Sequence, residues 1–250
     1  MNDPVVPNPW TALRQFTDAR IALGRVGASL PTREVLQFDL AHAHARDAVH
    51  SALDVTALTA TLRLEGWLTC SVESRAPDRA RYLLRPDLGR RLHPDSLTRR
   101  SCEAAAVDIA FVIADGLSAV AALRHGVPLL AQIRALLSPD WRLAPITIAT
   151  LARVALGDEI GARLRSRLVV MLIGERPGLS APDSLGAYLT YEPRLGRTDA
   201  ERNCVSNIRP AGLSYQFAAQ KIVWLIAQAL KRQLTGIDLK DESDLTLLPG

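Results

Sequence analysis

Residues 168–173 are apolar without interruption, and the run stops at Gly174, where Glu175, Arg176, Pro177 and Gly178 take over. It is far shorter than the ~20 residues a membrane helix needs. Its β-branched and aliphatic content predicts a strand buried on both faces, which is how strands of a parallel sheet read. A buried strand that breaks into a charged, Pro- and Gly-punctuated loop delivers that loop to the crevice at the carboxyl edge of the sheet. Chemistry is therefore expected on Glu175 and its neighbours.

The same logic extends upstream and downstream. Strands are predicted over 107–114, 145–153, 168–173 and 187–191, and helices over 118–137, 156–165 and 214–234, the last ended by Gly236. This alternation implies an α/β fold: a parallel Rossmann-like sheet in the C-terminal part (residues 101–250), with a helical N-terminal extension (residues 1–100). The first three strands end at Asp115 to Ser118, Arg153-Val154 and Gly174 to Arg176, so three loops should emerge at one edge and form a binding site.

In the N-terminal part, Asn8-Pro9-Trp10 reads as a cap followed by proline at a first helical position, predicting a helix to about Leu23. A second helix should start after Pro31, with Thr32 as its cap. The spacing of Val35, Phe38, His42, Ala45 and Val49 puts His42 on its packed face. Residues 69–75 and 80–84 flank Ala76-Pro77-Asp78 as the arms of a hairpin would.

Composition removes several function classes. The 250 residues are 48% hydrophobic, enough for a substantial core. The first ten residues lack the charged and apolar blocks of a secretory signal, and three widely spaced cysteines, Cys70, Cys102 and Cys204, suit a reduced, cytoplasmic setting without a disulfide framework. No GxGxxG follows a strand and no Walker loop or GxSxG elbow is present, so nucleotide and serine-hydrolase chemistry have nothing to rest on. His42 and His44 sit ~200° apart on a helix and cannot share a metal. The net charge of +4 is concentrated in residues 75–100, where eight arginines face three acids. That surplus supports an alternative reading as a stand-alone basic module for an anionic ligand or nucleic acid, although no aromatic-interleaved basic motif accompanies the arginines. An orphan α/β enzyme with an unrecognised site is a third reading.

Residues 13–25, Ala114-Asp115-Gly116-Leu117-Ser118-Ala119, residues 169–178, Arg202 to Arg209 and Leu234-Thr235-Gly236-Ile237-Asp238-Leu239 together resemble the small (light) subunit of ethanolamine ammonia-lyase. The Gly174-Glu175-Arg176-Pro177-Gly178 and Asn203-Cys204-Val205-Ser206-Asn207-Ile208 blocks, in that order and separation, carry most of the likeness. The resemblance implies an adenosylcobalamin-dependent lyase that converts ethanolamine to acetaldehyde and ammonia by a radical rearrangement. It implies a hetero-oligomer in which a large (heavy) barrel subunit holds the substrate and the reacting groups, while the light subunit covers part of the corrinoid where the chains meet.

Carried over residue by residue, the family's cobalamin contacts fall on Val154, Glu175 and Cys204, with no catalytic and no metal-ligating residue in this chain. Val154 can pack on apolar parts of a corrin, and Glu175 can accept hydrogen bonds from its side-chain amides. No histidine follows an aspartate by two positions: the residues preceding His42, His44, His50, His93 and His125 at that distance are Leu40, His42, Ala48, Arg91 and Leu123. The DxHxxG motif of cobalamin proteins that supply a protein histidine as lower ligand is thus absent, in keeping with a family whose cofactor keeps its own dimethylbenzimidazole. The resemblance implies neither a nucleic-acid nor a membrane partner. Some family members carry an extended N-terminal segment that addresses them to a bacterial microcompartment, and the nine residues before the first expected helix argue against encapsulation.

Overall fold

In the computed structural model, which describes residues 5–98 and 106–243, a single six-stranded sheet organises the chain. In chain order its strands are β1 (Thr69–Glu73), β2 (Val107–Ala114), β3 (Ile146–Thr150), β4 (Ser166–Gly174), β5 (Leu185–Tyr191) and β6 (Asn203–Ile208). Across the sheet they run β1-β3-β2-β4-β5-β6. The first four are mutually parallel, whereas β5 pairs antiparallel with β4 and β6 antiparallel with β5. The α/β expectation holds, but the parallel sheet is continued by two antiparallel strands, and β1, from the part expected to be a helical extension, is a strand of the same sheet.

The helices are α1 (Thr32–His50), α2 (Val55–Leu64), α3 (Arg79–Leu84), α4 (Pro94–Thr98), α5 (Ala119–Leu136), α6 (Leu156–Arg163) and α7 (Tyr215–Arg232). Every residue of β2 is buried, because the sheet is covered on both faces. On one face α2, α5 and α7 pack Leu62, Leu130 and Ile226 against Phe111, Val170 and Leu189. On the other, α6 sets Leu156 and Ile160 against Val112, Val169 and Met171. Alternate residues of one strand thus feed two cores.

Several local expectations are corrected. Residues 11–16 form only a 3-10 turn rather than a helix reaching Leu23. Thr17 is extended, its hydroxyl accepts from Ala19 N at 3.1 Å, and Ala22 takes a left-handed φ of 52°, which no helix tolerates. The chain instead folds back, with Val6 and Arg25 exchanging backbone bonds of 2.8 and 3.1 Å. Thr32 is the first helical residue of α1 and Pro31 its uncapped boundary. His42 is exposed, because Ala48 is the only residue of that helix that is buried.

The hairpin is absent. Its first arm is β1, paired in parallel with β3, and its second arm is α3, started by Asp78, whose carboxylate accepts from Arg81 N at 2.7 Å. Helix α7 ends at Arg232 with Gln233 left-handed, ahead of Gly236. Cys204 is a free, exposed thiol. Among the described residues no helix is long and apolar enough to cross a membrane.

Candidate functional site

The strand ends converge as their loops predicted. Asp115, one residue past β2, is buried, and its carboxylate accepts from Leu151 N at 2.9 Å and Ala152 N at 3.0 Å, which ties the end of β2 to the chain leaving β3. Burial pushes this carboxyl up; the two backbone donors and Arg79, 3.4 Å away, oppose that shift. On the other side, Leu117 N donates to Gly174 O at 2.9 Å, joining the β2 and β4 loops. The approach is possible only because both residues at the crossing are glycine. A Cβ on Gly116, whose φ is 53°, would meet Gly174 O at 2.2 Å, and a Cβ on Gly174 would meet Ser118 O at 2.0 Å.

Between these loops lies a cleft of about 430 Å³, lined by the apolar Leu117, Val154 and Ile173 together with Glu175, Arg176 and Tyr188. Its floor is Tyr82, fully buried, whose hydroxyl donates to Ala152 O at 2.9 Å. Burial raises the Tyr82 phenol, so it stays protonated. Arg79 and Arg153 stack over its ring at 4.8 and 4.3 Å from the centroid. Arg153 also donates through Nη2 to Tyr82 O at 3.2 Å, which holds the residue before Val154 in place.

Of the three residues singled out from sequence, Val154 and Glu175 line this cleft. Cys204 does not line it, but it is the cross-strand partner of Tyr188, which does. Cys204 is exposed; desolvation on its inner side raises the thiol, with a hydrogen bond to Tyr188 opposing, so the sulfur is neutral at pH 7 and not a primed nucleophile. Burial, followed by Cys204 and Glu175, raises the Tyr188 phenol as well.

The two signature blocks meet at Glu175. Its backbone N–H donates to Ser184 O at 2.9 Å, closing a loop whose tip, Gly178 to Ala181, is held by two backbone bonds of 3.0 and 3.2 Å. Its Oε2 accepts from the Ser184 hydroxyl and from Asn207 N at 3.1 Å. Asn207 has a left-handed φ of 59°, and its carbonyl accepts from Leu213 N at 2.8 Å, so the turn after β6 aims that N–H at Glu175.

The arrangement can bind, with an apolar wall, a carboxylate and two guanidiniums, but it assembles no nucleophile with a base. Among the described residues no group of three or more His, Cys, Asp or Glu side chains could hold a metal ion. Sequence reasoning missed Tyr82, Ser184 and Tyr188, whereas Arg153 lies on the edge it expected. Tyr82 lay hidden in the misread hairpin. Ser184 carries no motif, because its role depends on a loop returning nine residues later.

Comparison with known proteins gives the family. Residues 7–240 match the family profile described as Ethanolamine ammonia-lyase light chain (EutC). The chain is 53% identical to the ethanolamine ammonia-lyase small subunit of Ralstonia nicotianae, over 98% of this chain and 92% of that protein. It is 52% identical to the protein of the same description from Azotobacter vinelandii, over 99% and 93%. With that from Pseudomonas aeruginosa it shares 51%, over 100% and 95%. Full-length matches at half identity leave one assignment: the chain belongs to the ethanolamine ammonia-lyase light-chain family.

Proposed function

We propose that this chain is the small subunit of a two-chain ethanolamine ammonia-lyase, which converts ethanolamine to acetaldehyde and ammonia, and that its cleft covers one edge of adenosylcobalamin at the interface with the large subunit. The observation that carries the reading is that Val154 and Glu175, remote in sequence, line one cleft at the carboxyl edge of the sheet, with Cys204 reaching it through Tyr188. The residues suit the group: Val154, Leu117 and Ile173 offer an apolar wall, and Glu175 an acceptor for a corrin amide. At about 430 Å³ the cleft accommodates a drug-sized group and not a whole corrinoid, so a second wall must come from another chain. The bound cofactor supplies the radical that starts the rearrangement. The role of this chain is to hold and orient an edge of it and to keep water from that edge.

In this reading residues 101–250 supply most of the cobalamin-binding cleft, with Tyr82 of the N-terminal part in its lining, and residues 1–100 also contribute the subunit contact. Trp10 and Phe16 are 66% and 78% exposed and Leu36 63%, an apolar surface that a large partner would cover. The basic-module alternative is weakened by where the arginines go. Arg75 bonds Leu92 O, Arg79 bonds Val49 O and Gly116 O, Arg85 pairs with Asp87 and Arg91 with Glu159, so four of the eight guanidiniums are engaged within the chain.

The test is a titration of the reconstituted two-chain complex with adenosylcobalamin, wild type against Glu175→Gln. Exchanging an acceptor for a donor should cost on the order of 1–3 kcal/mol, or about 5- to 150-fold in affinity, with assembly unchanged. Superimposed titrations would remove Glu175 from the site.

A further inference from the structure

The two oxygens of the Glu175 carboxylate have unlike surroundings. Oε2 takes both available donors, the Ser184 hydroxyl and the Asn207 N–H. No described residue donates to Oε1, which lies above Gly186, where a Cβ would come within 2.9 Å of it. Ser184 is buried and is delivered by a fixed backbone: its carbonyl accepts Glu175 N, and its neighbour Asp183 is clamped to α5 by Arg124 at 3.1 Å and His125 at 3.4 Å. Nothing in the apolar wall or the arginine pair of the cleft uses this serine.

We infer that Ser184 is a positioning residue for the ligand: its hydroxyl, acting with Asn207 N–H, pins Oε2 and thereby presents Oε1 as a single, pre-aimed acceptor. The inference rests on the cofactor reading above and sharpens it chemically. A carboxylate with both oxygens free would take a guanidinium in a two-pronged bond. One with Oε2 already saturated offers a single-point acceptor, which suits a neutral primary amide N–H such as the side chains at a corrin's rim. Fixing the carboxylate before binding also removes the ordering cost of a long side chain. The same pinning orients a glutamine at this position, whose carbonyl would go to the two donors and whose NH2 would face the ligand.

Ser184→Ala should therefore weaken adenosylcobalamin binding to the reconstituted complex by about 2- to 10-fold, as expected for losing one positioning hydrogen bond. Ser184→Thr, which keeps the hydroxyl, should stay within about 2-fold, and Ser184→Val, its isostere without the hydroxyl, should match the alanine variant. The decisive readout is a double-mutant cycle with Glu175→Ala, followed as cofactor affinity by absorbance and not as turnover. With the carboxylate gone, removing the hydroxyl should cost nothing further. Full additivity, or a Thr and Val pair of equal affinity, would overturn the inference and make Ser184 a structural serine. If Glu175→Ala itself leaves affinity unchanged, the cleft reading falls and the inference with it. If Glu175→Ala weakens binding and Ser184→Ala does not, only the inference falls.

Discussion

Arg202→Met tests how the second signature block is anchored. The Arg202 side chain is 2% exposed and meets Asp158, 3% exposed, through two parallel bonds of 2.6 and 2.7 Å. Its Nη1 also donates to Thr190 Oγ1 at 2.8 Å and its Nη2 to Arg197 O at 3.0 Å. Methionine retains most of the apolar stem and removes every donor. Burial already pushes the Asp158 carboxyl up, with Arg202 opposing, so without the guanidinium the group must take a proton to remain in place. At pH 7 that costs ~1.36 kcal/mol for each unit by which the folded value rises above that of the wild type, with full protonation from an ordinary carboxyl value of ~3.9 setting an upper bound of about 4 kcal/mol. The abandoned Thr190 and Arg197 oxygens add up to about 1 kcal/mol each. A loss approaching that bound is comparable to the whole stability of many domains.

The pH dependence has a definite sign. In the variant the folded-state pKa of Asp158 lies above its unfolded value, so the penalty is absent below about pH 4 and grows as pH rises toward the folded value. Urea unfolding of the purified chain at pH 5 and pH 7 should give a smaller deficit at the lower pH, by at most about 3 kcal/mol for one proton over two pH units. Adding Asp158→Leu to Arg202→Met should recover most of the loss, since an apolar pair replaces a buried ion pair at little cost. A deficit under about 1 kcal/mol, or one equal at both pH values, would refute the reasoning.

Two further outcomes follow from the geometry. The Asp108 carboxyl is held below its ordinary value, first by the Arg142 side chain at 3.1 Å, with Arg167 at 3.4 Å assisting, so its stabilisation is present above about pH 4 and lost as pH falls through the lower folded value; Asp108→Asn should cost about 1–2 kcal/mol in urea unfolding at pH 7 and nothing near pH 2, and a pH-independent cost would contradict this. Residues 5–30 include no buried residue, so deleting residues 1–30 should leave the thermal unfolding of the chain unchanged while weakening co-purification with the large subunit, and undiminished assembly would remove this segment from the contact.

The alternation from Val107 onward was legible because each strand there is buried on both faces and each helix carries one apolar stripe. Ser118, expected as the start of a helix, is its cap, accepting from Ala121 N at 3.3 Å. Less could be read where local signals competed. Residues 80–84 read as a hairpin arm, whereas Asp78 makes residues 79–84 a helix through a cap bond that a sequence does not display. Helix α1 has helical spacing, but spacing says nothing of whether a partner within the chain covers the stripe, so His42 was wrongly expected to be packed. β6 escaped notice because an edge strand with burial on alternate residues, interrupted by the left-handed Asn207, lacks the apolar run that marks β4. Of the candidate site, Val154 and Glu175 were findable as loop residues after strands. Tyr188 and Ser184 depend on pairing between segments.

The change from parallel to antiparallel pairing at β5 makes the sheet a ruler for the cleft. Because β5 begins where β4 ends and β6 returns to the same edge, Gly174 faces Leu185, and Leu185 faces Ile208, across successive rungs. A side chain two residues along a strand points the same way and one residue along points the opposite way. A slip of β5 by a single residue would therefore turn Tyr188 to the other face of the sheet and put a side chain where Gly186 leaves room beneath Glu175. Length changes in the connecting loop can be absorbed at its Gly178 to Ala181 tip, whereas an odd insertion inside β5 cannot. The cleft should thus tolerate a varied loop tip and require a constant spacing from Ser184 to Tyr188.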